Sequence, residues 1–291
     1  MPWGLVAAAV VGGGAAVLTA ALAGGARSWN RATARTLEQL GRAASSRPPG
    51  PAATPARYDP TQLTGLPPPV IRYFTLALTP GQPLVRRVRL THEGTFARER
   101  GRWVPFTSTE DFTASPPGFV WDARIRMAPL VVAYVRDSYV AGEGVMHGAI
   151  AGLATIVDQR GTPEMGSGAL LRYLAEAAWF PTALLPSEGV RWEPVDDFTA
   201  RATLGDSGVT VSMDAHFGRG GELERVSAVR YRDVKGTPVL TPWVGRFSSY
   251  ARVEGMMVPT EGEVGWVLPD GWAPYWRGRT VKTEILAAGV R

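Results

Sequence analysis

The chain has 291 residues, 45% hydrophobic and 20% charged, which suits one large globular domain with accessory segments and excludes intrinsic disorder for most of its length. The formal charge of +5 is a local excess: Arg27, Arg31, Arg35, Arg42 and Arg47 stand against only Glu38 in the first fifty residues, so no basic domain supports nucleic-acid binding. Cysteine is absent, which excludes disulfides, thiol nucleophiles and thiolate metal sites.

The first element is the uncharged run "PWGLVAAAVVGGGAAVLTAALAGGA" at residues 2 to 26. Residues 3 to 26 are expected to form a transmembrane helix, since roughly 20 helical residues reach across a hydrocarbon core of about 30 Å. A cleaved signal peptide ending at "ALA", residues 21 to 23, is the rival, but no Lys or Arg precedes the apolar run. A membrane lipid is thus an expected partner. The arginines that follow the span favour a cytoplasmic domain by the positive-inside tendency. Residues 27 to 58 read as a basic juxtamembrane helix, with Arg27, Arg31 and Arg35 on one face, followed by a Pro/Ala-rich linker.

From residue 59 to 288 a folded domain is expected. Asp59 and Thr61 are candidate helix starters. "PPPVIRYFTLALT", residues 67 to 79, follows as a short helix with prolines in its first turn and Val70, Tyr73, Phe74 and Ala77 on its buried face.

Beyond it the period changes to two. "FVWDARIRM", residues 119 to 127, sets Phe119, Trp121, Ala123, Ile125 and Met127 opposite four other side chains. "VTVSMDAHF", residues 209 to 217, alternates as cleanly, and turn sequences on either side make residues 200 to 232 a three-stranded meander. Weaker strands are expected near 85 to 97, 101 to 112, 131 to 142, 143 to 159, 190 to 195, 246 to 254, 257 to 268 and 275 to 286. No strand-helix-strand rhythm appears, which disfavours a parallel nucleotide-binding sheet. The expected class is α+β: a large antiparallel sheet of roughly ten strands, too wide to stay flat, curled like a half-barrel.

"LLRYLAEAAWFPTALL", residues 170 to 185, interrupts the strands with one predicted helix. Arg172 and Glu176 fall close together while apolar residues cover most of the remaining circumference, far more than one core-facing stripe. The helix is therefore a candidate lid over the concave face of the sheet. Leu170, Leu174, Trp179 and Phe180 would line a cavity opposite Phe119 and Trp121, with Arg172 and Glu176 as an i,i+4 pair or a grip on a polar head.

Other chemistry is sparse. "GDSG" at 205 to 208 resembles a serine-protease nucleophile loop, but its flanking strands make it a hairpin turn. His92, His147 and His216 form no close pair, so no metal site and no cofactor are expected. His92 follows Val88 and Leu90 on their strand face and reads as a satisfied core histidine. Glu261 and Glu263 share a face, and a turn centred near Asp270 sets Glu261 opposite Arg279 and Glu263 opposite Arg277, a charged ladder first and a functional polar cluster second.

The blocks "LPPPVIRYF", "GFVWDARIRM", "LLRYLAEAAWFPTALLP", "TPWVGRF" and "VPTEGEVGWVLPDGWAPYWRGR" resemble those of a bacterial membrane-anchored family known as a domain of unknown function. That resemblance spans roughly residues 60 to 285 and implies no activity. More loosely, "YARVEGMMVPTEGEV" looks like the late strands of lipoprotein-carrier proteins. This second resemblance implies a curved half-barrel closed by helices around an apolar cavity, outside the cytoplasmic membrane. The sequence therefore points to a membrane-anchored protein that binds a lipid or other hydrophobic ligand. A carboxylate-dependent hydrolase using Glu176, Glu261 or Glu263, and a structural module with a solid core, stand as alternatives.

Overall fold

Residues 3–46, 57–99, 101–129 and 131–286 are described by a computed structural model, with side chains of the first helix described from Leu18 onward. Most of the Pro/Ala linker, residues 47 to 56, lies outside the described residues.

Period-two alternation dominates from Arg87 on and yields thirteen strands. They are β1 (Arg87–Glu99), β2 (Arg102–Thr113), β3 (Gly118–Ala128), β4 (Val131–Val140), β5 (Glu143–Ile150), β6 (Ala154–Arg160), β7 (Arg191–Asp196), β8 (Thr199–Asp206), β9 (Val209–Phe217), β10 (Leu223–Val234), β11 (Thr237–Val253), β12 (Met256–Leu268) and β13 (Gly271–Ile285). All belong to one sheet in the order β6-β5-β4-β3-β2-β1-β13-β12-β11-β10-β9-β8-β7, and each neighbouring pair is antiparallel. The stretch expected as one strand over 143 to 159 is two, because the chain turns at Ala151 and Gly152, both with positive φ.

Thirteen twisted strands cannot lie flat. The sheet curls until strands remote in its order meet: Tyr139 on β4 donates from its hydroxyl to Asp206 Oδ2 on β8 at 3.0 Å, and Gln159 on β6 donates to Asp233 on β10 at 2.8 Å. Gly94, Gly278 and Gly262 lie side by side across β1, β13 and β12. A Cβ at Gly94 would collide with the Arg277 carbonyl and one at Gly278 with the Trp276 ring, so this row lets aromatic rings lie flat on the inner face.

Helices fill the concavity. Asp59 caps a 3₁₀ turn at Pro60–Leu63, and α2 (Pro68–Ala77) follows with Pro69, Val70, Tyr73, Phe74 and Ala77 buried. Tyr73 and Phe74 pack on Phe217 and Trp192. The predicted helix over 170 to 185 differs from the observed structure. A regular α-helix, α3 (Pro163–Glu176), capped by the Thr162 hydroxyl, ends at Glu176 and continues as 3₁₀ turns at Ala177–Trp179, Pro181–Leu184 and Pro186–Glu188. Pro181 and Pro186 lack the N–H that a longer helix needs. The turns are pinned instead by side chains: Val85 N donates to Thr182 Oγ1 at 3.1 Å and Trp192 Nε1 donates to the Leu184 carbonyl at 2.9 Å.

The N-terminal helix α1 (Trp3–Ser46) runs on without a break past residue 26, and its second half lies on the sheet. Gly25, Trp29, Thr33 and Leu40 recur on one face and are buried, whereas Arg27, Arg31, Arg35 and Arg42 face solvent. Trp29 Nε1 donates to Asp122 Oδ1 at 2.8 Å, its ring stacks on His147, and the Arg136 guanidinium lies 4.9 Å from its centre. Among the described residues no helix is long and apolar enough to cross a membrane. The side chains of residues 3 to 17, which carry most of the anchor expectation, lie outside those described.

Trp29→Ala removes the main contact between α1 and the sheet, at a cost of about 3–5 kcal/mol for a buried aromatic. The expected outcome is faster proteolysis and amide exchange between residues 25 and 46 with the sheet still protected, read by limited proteolysis and hydrogen exchange.

Candidate functional site

The curled sheet is not filled completely. Between α3 and strands β3, β4, β12 and β13 lies a cavity of about 390 Å³, walled by Phe96, Trp121, Trp179, Trp243, Phe247, Tyr275 and Trp276 together with Ile125, Val135, Met146, Val157 and Val264. A second space of about 620 Å³ shares Phe96, Asp137, Met146, Arg230 and Tyr275 with it and reaches the ends of β6 and β10. Volumes of this size and apolar walls are those of small-molecule sites.

One charged cluster borders the cavity. Arg172 on α3 donates from Nε to Glu176 Oε1 at 2.9 Å, from Nη1 to Asp137 Oδ2 on β4 at 2.7 Å, and from Nη2 to Glu110 Oε1 on β2 at 2.8 Å. Its guanidinium also lies 4.9 Å from the Phe119 ring centre and 5.1 Å from that of Trp121. Burial works against the charge of Arg172, but Glu110, Glu176 and Asp137 outweigh it and raise its pKa well above the usual value. Burial holds the Glu110 carboxyl well above the carboxylate range, against the pull of Arg172 and helped by the charges of Glu176 and Asp137. Burial likewise raises Glu176, with Arg172 opposing. Three carboxyl groups thus share one cation.

His92, 1% exposed, stands beside this cluster with Nδ1 at 3.9 Å from Glu110 Oε2 and its ring against Trp179 and Trp276. Neither ring nitrogen has a hydrogen-bond partner, so the histidine is in the core but not satisfied there, a correction to the expectation from its strand face. Burial, then the charge of Arg172, lowers its pKa to about 3. Two further wall residues, Trp121 and Trp179, also carry indole N–H groups without a partner.

Of the residues singled out from sequence, Trp121, Trp179, Arg172 and Glu176 line the cavity. Phe119, Leu170, Leu174 and Phe180 are fully buried in the packed core, where Phe180 and Phe119 meet Phe112 at 4.8 and 6.0 Å between ring centres. One side of α3 packs closely on β5 and β9, and a Cβ at Gly144 on β5 would collide with the Met165 carbonyl. Glu110 and Asp137 escaped the sequence reading. A signal existed: Glu110 shares a strand face with Phe106 and Phe112, and Asp137 shares one with Val135 and Tyr139.

The second polar group lies on the other face of β12 and β13, where Glu261 pairs across from Arg279 and Glu263 from Arg277. Glu263 accepts from Arg277 and, at 3.3 Å, from Trp272 Nε1, while Arg279 turns to Glu93 instead of Glu261. These charges border an open groove on the outer surface. Ser207 of "GDSG" occupies the β8–β9 turn with φ 49° and donates to Asp206. Among the described residues no group of three or more His, Asp or Glu side chains is placed to hold a metal ion.

The model of DUF6920, a family of unknown function, matches residues 64–284. The chain belongs to the DUF6920 family. The DUF6920 match begins after α1, so the docked helix is outside it and the whole cavity wall is inside it. No curated protein matches the chain. Among solved structures, a LolA superfamily protein from Nitrosomonas europaea aligns with 10% identity and a TM-score of 0.39 over 75% of this chain and 92% of its own. A β-barrel-like protein of the domain of unknown function DUF1849 from Brucella abortus aligns with 10% identity and a TM-score of 0.28 over 70% and 98%.

Because the folded His92 has a lower pKa than the unfolded value of about 6.5, its stabilisation is complete above that pH and is lost as pH falls toward about 3. The slope is at most about 1.4 kcal/mol per pH unit. His92→Leu is expected to flatten that slope between pH 6.5 and 5, measured by urea titrations at each pH. Arg172→Met leaves three buried carboxyl groups without a cation and is expected to cost about 3–5 kcal/mol in the same measurement at pH 7.

Proposed function

We propose that this protein binds a lipid or another molecule with a long apolar chain in the cavity between the curved sheet and α3. The observation that carries this reading is the cavity itself: about 390 Å³ of space walled largely by tryptophan, tyrosine and aliphatic side chains beside the hydrophobic core. Native cores leave few voids larger than a water molecule, so a space this large and this apolar is suited to a guest. Transfer of an acyl chain into it contributes about 0.8 kcal/mol per buried methylene, so a chain of moderate length suffices for firm binding. The mechanism is sequestration: the sheet and α3 replace water around the chain, and no bond is made or broken. The uncharged residues 2 to 26 are proposed to hold the protein at a membrane, where such molecules reside.

Native mass spectrometry of the full chain, before and after mild organic extraction, is expected to show a removable mass of lipid size. Val135→Phe places a ring in the void and is expected to weaken binding of a fluorescent acyl probe at least tenfold with the far-UV spectrum unchanged. A clean apo mass combined with absence of probe binding overturns the reading.

A further inference from the structure

The cavity is apolar in its walls but not silent in its polar groups. Three buried N–H donors without an acceptor belong to residues that line it: Trp121 Nε1, Trp179 Nε1 and Arg230 Nε. Trp121 and Trp179 are only 4% and 5% exposed, so neither indole turns to bulk water. One acceptor on the same wall, Glu176 Oε2, takes no N–H or hydroxyl of the protein, and the Glu176 carboxyl otherwise meets that of Glu110. Native interiors satisfy most of their polar atoms, and four unmet ones around one void mark a place where something else completes them. Trp243, by contrast, already donates its Nε1 to the Tyr275 hydroxyl at 2.9 Å, so the unmet indoles are not a general property of the wall.

We propose that the cavity selects amphiphiles whose buried polar group is an uncharged hydroxyl, as in a long-chain alcohol or an acylglycerol with a free hydroxyl, over fatty acids and long-chain amines. This inference rests on the ligand-binding reading above and specifies the head group. A hydroxyl oxygen accepts from an indole N–H while its proton goes to Glu176 Oε2, so one small group meets both kinds of vacancy. A carboxylate meets only the donors, among which Arg230 Nε is cationic, and sets a fourth carboxyl beside Glu110, Asp137 and Glu176, which already take one hydrogen bond from each nitrogen of Arg172. An ammonium meets only Glu176 and leaves all three N–H donors unmet, with the cations Arg172 and Arg230 on the same wall.

Displacement of a fluorescent acyl probe from the purified full chain at pH 7 compares 1-dodecanol, dodecanoate and dodecylamine, which share one chain length. The alcohol is expected to bind at least tenfold more tightly than either charged analogue. Trp179→Phe keeps an aromatic wall and removes one donor, and is expected to reduce the preference over dodecylamine, which cannot accept from an indole, about fivefold, the loss of one hydrogen bond. Dodecanoate or dodecylamine binding as tightly as the alcohol, or a preference over dodecylamine unchanged in Trp179→Phe, overturns the head-group inference while leaving the cavity as an apolar site. Displacement by none of the three overturns the ligand-binding reading and this inference with it.

Discussion

A single guanidinium ties the inside of this protein together. Arg172 spends its three nitrogens on three separate carboxyl groups, one on its own helix, one on β4 and one on β2. A charge removed from water is tolerated only when it is paired and hydrogen-bonded, so helix and strands cannot slide relative to each other without leaving ions unpaired. The rings of Phe119 and Trp121 lie under the same group and fix its height above the sheet. The position of α3, and with it the wall of the cavity, follows from this contact.

The rest of the interior is a problem of covering a very wide sheet. Thirteen strands curl far enough for β4 to meet β8 and β6 to meet β10, and the concave face this creates is too broad for one helix. The chain fills it in two ways. Toward β7–β9 it packs α2 and the 3₁₀ turns after α3, with Tyr73, Phe74, Phe180 and Leu184 fully enclosed. Toward β12 and β13 it lays Trp179 and Trp276 close over Gly262 in the row of glycines, and these large flat rings leave the void between them and α3. The unfilled space and the filled core are thus parts of one packing solution.

Much of the local structure was legible along the chain. The buried face of α2, Val70, Tyr73, Phe74 and Ala77, follows from helical spacing alone, and the alternation of β3 and β9 follows from the period of two. The pairing of Glu263 with Arg277 follows from the position of one turn at Asp270. Half of the candidate site was visible in the same way, because Trp121, Trp179, Arg172 and Glu176 carry large or charged side chains in apolar surroundings. Glu110 and Asp137 showed only their place on an apolar strand face, since a carboxylate there is identified as buried only when its partner is known, and that partner is 62 and 35 residues away.

What the sequence by itself determined is the set of choices made over short distances: strand or helix, which face turns inward, and where the chain turns, because these depend on neighbours one to four residues apart. Its thirteen strands do not declare how far the sheet curls, and a helix that is apolar nearly all round does not say what covers each side. Only the tertiary structure decided that Phe119, Leu170, Leu174 and Phe180 go to solid core while Trp121 and Trp179 face a void, and that α1 lies along the sheet through Trp29 and Asp122. Those outcomes depend on contacts between distant parts of the chain, 93 residues apart for Trp29 and Asp122, and on the volume left when every other side chain has been placed. Such sums are properties of the packed whole, and no single stretch of the chain contains them.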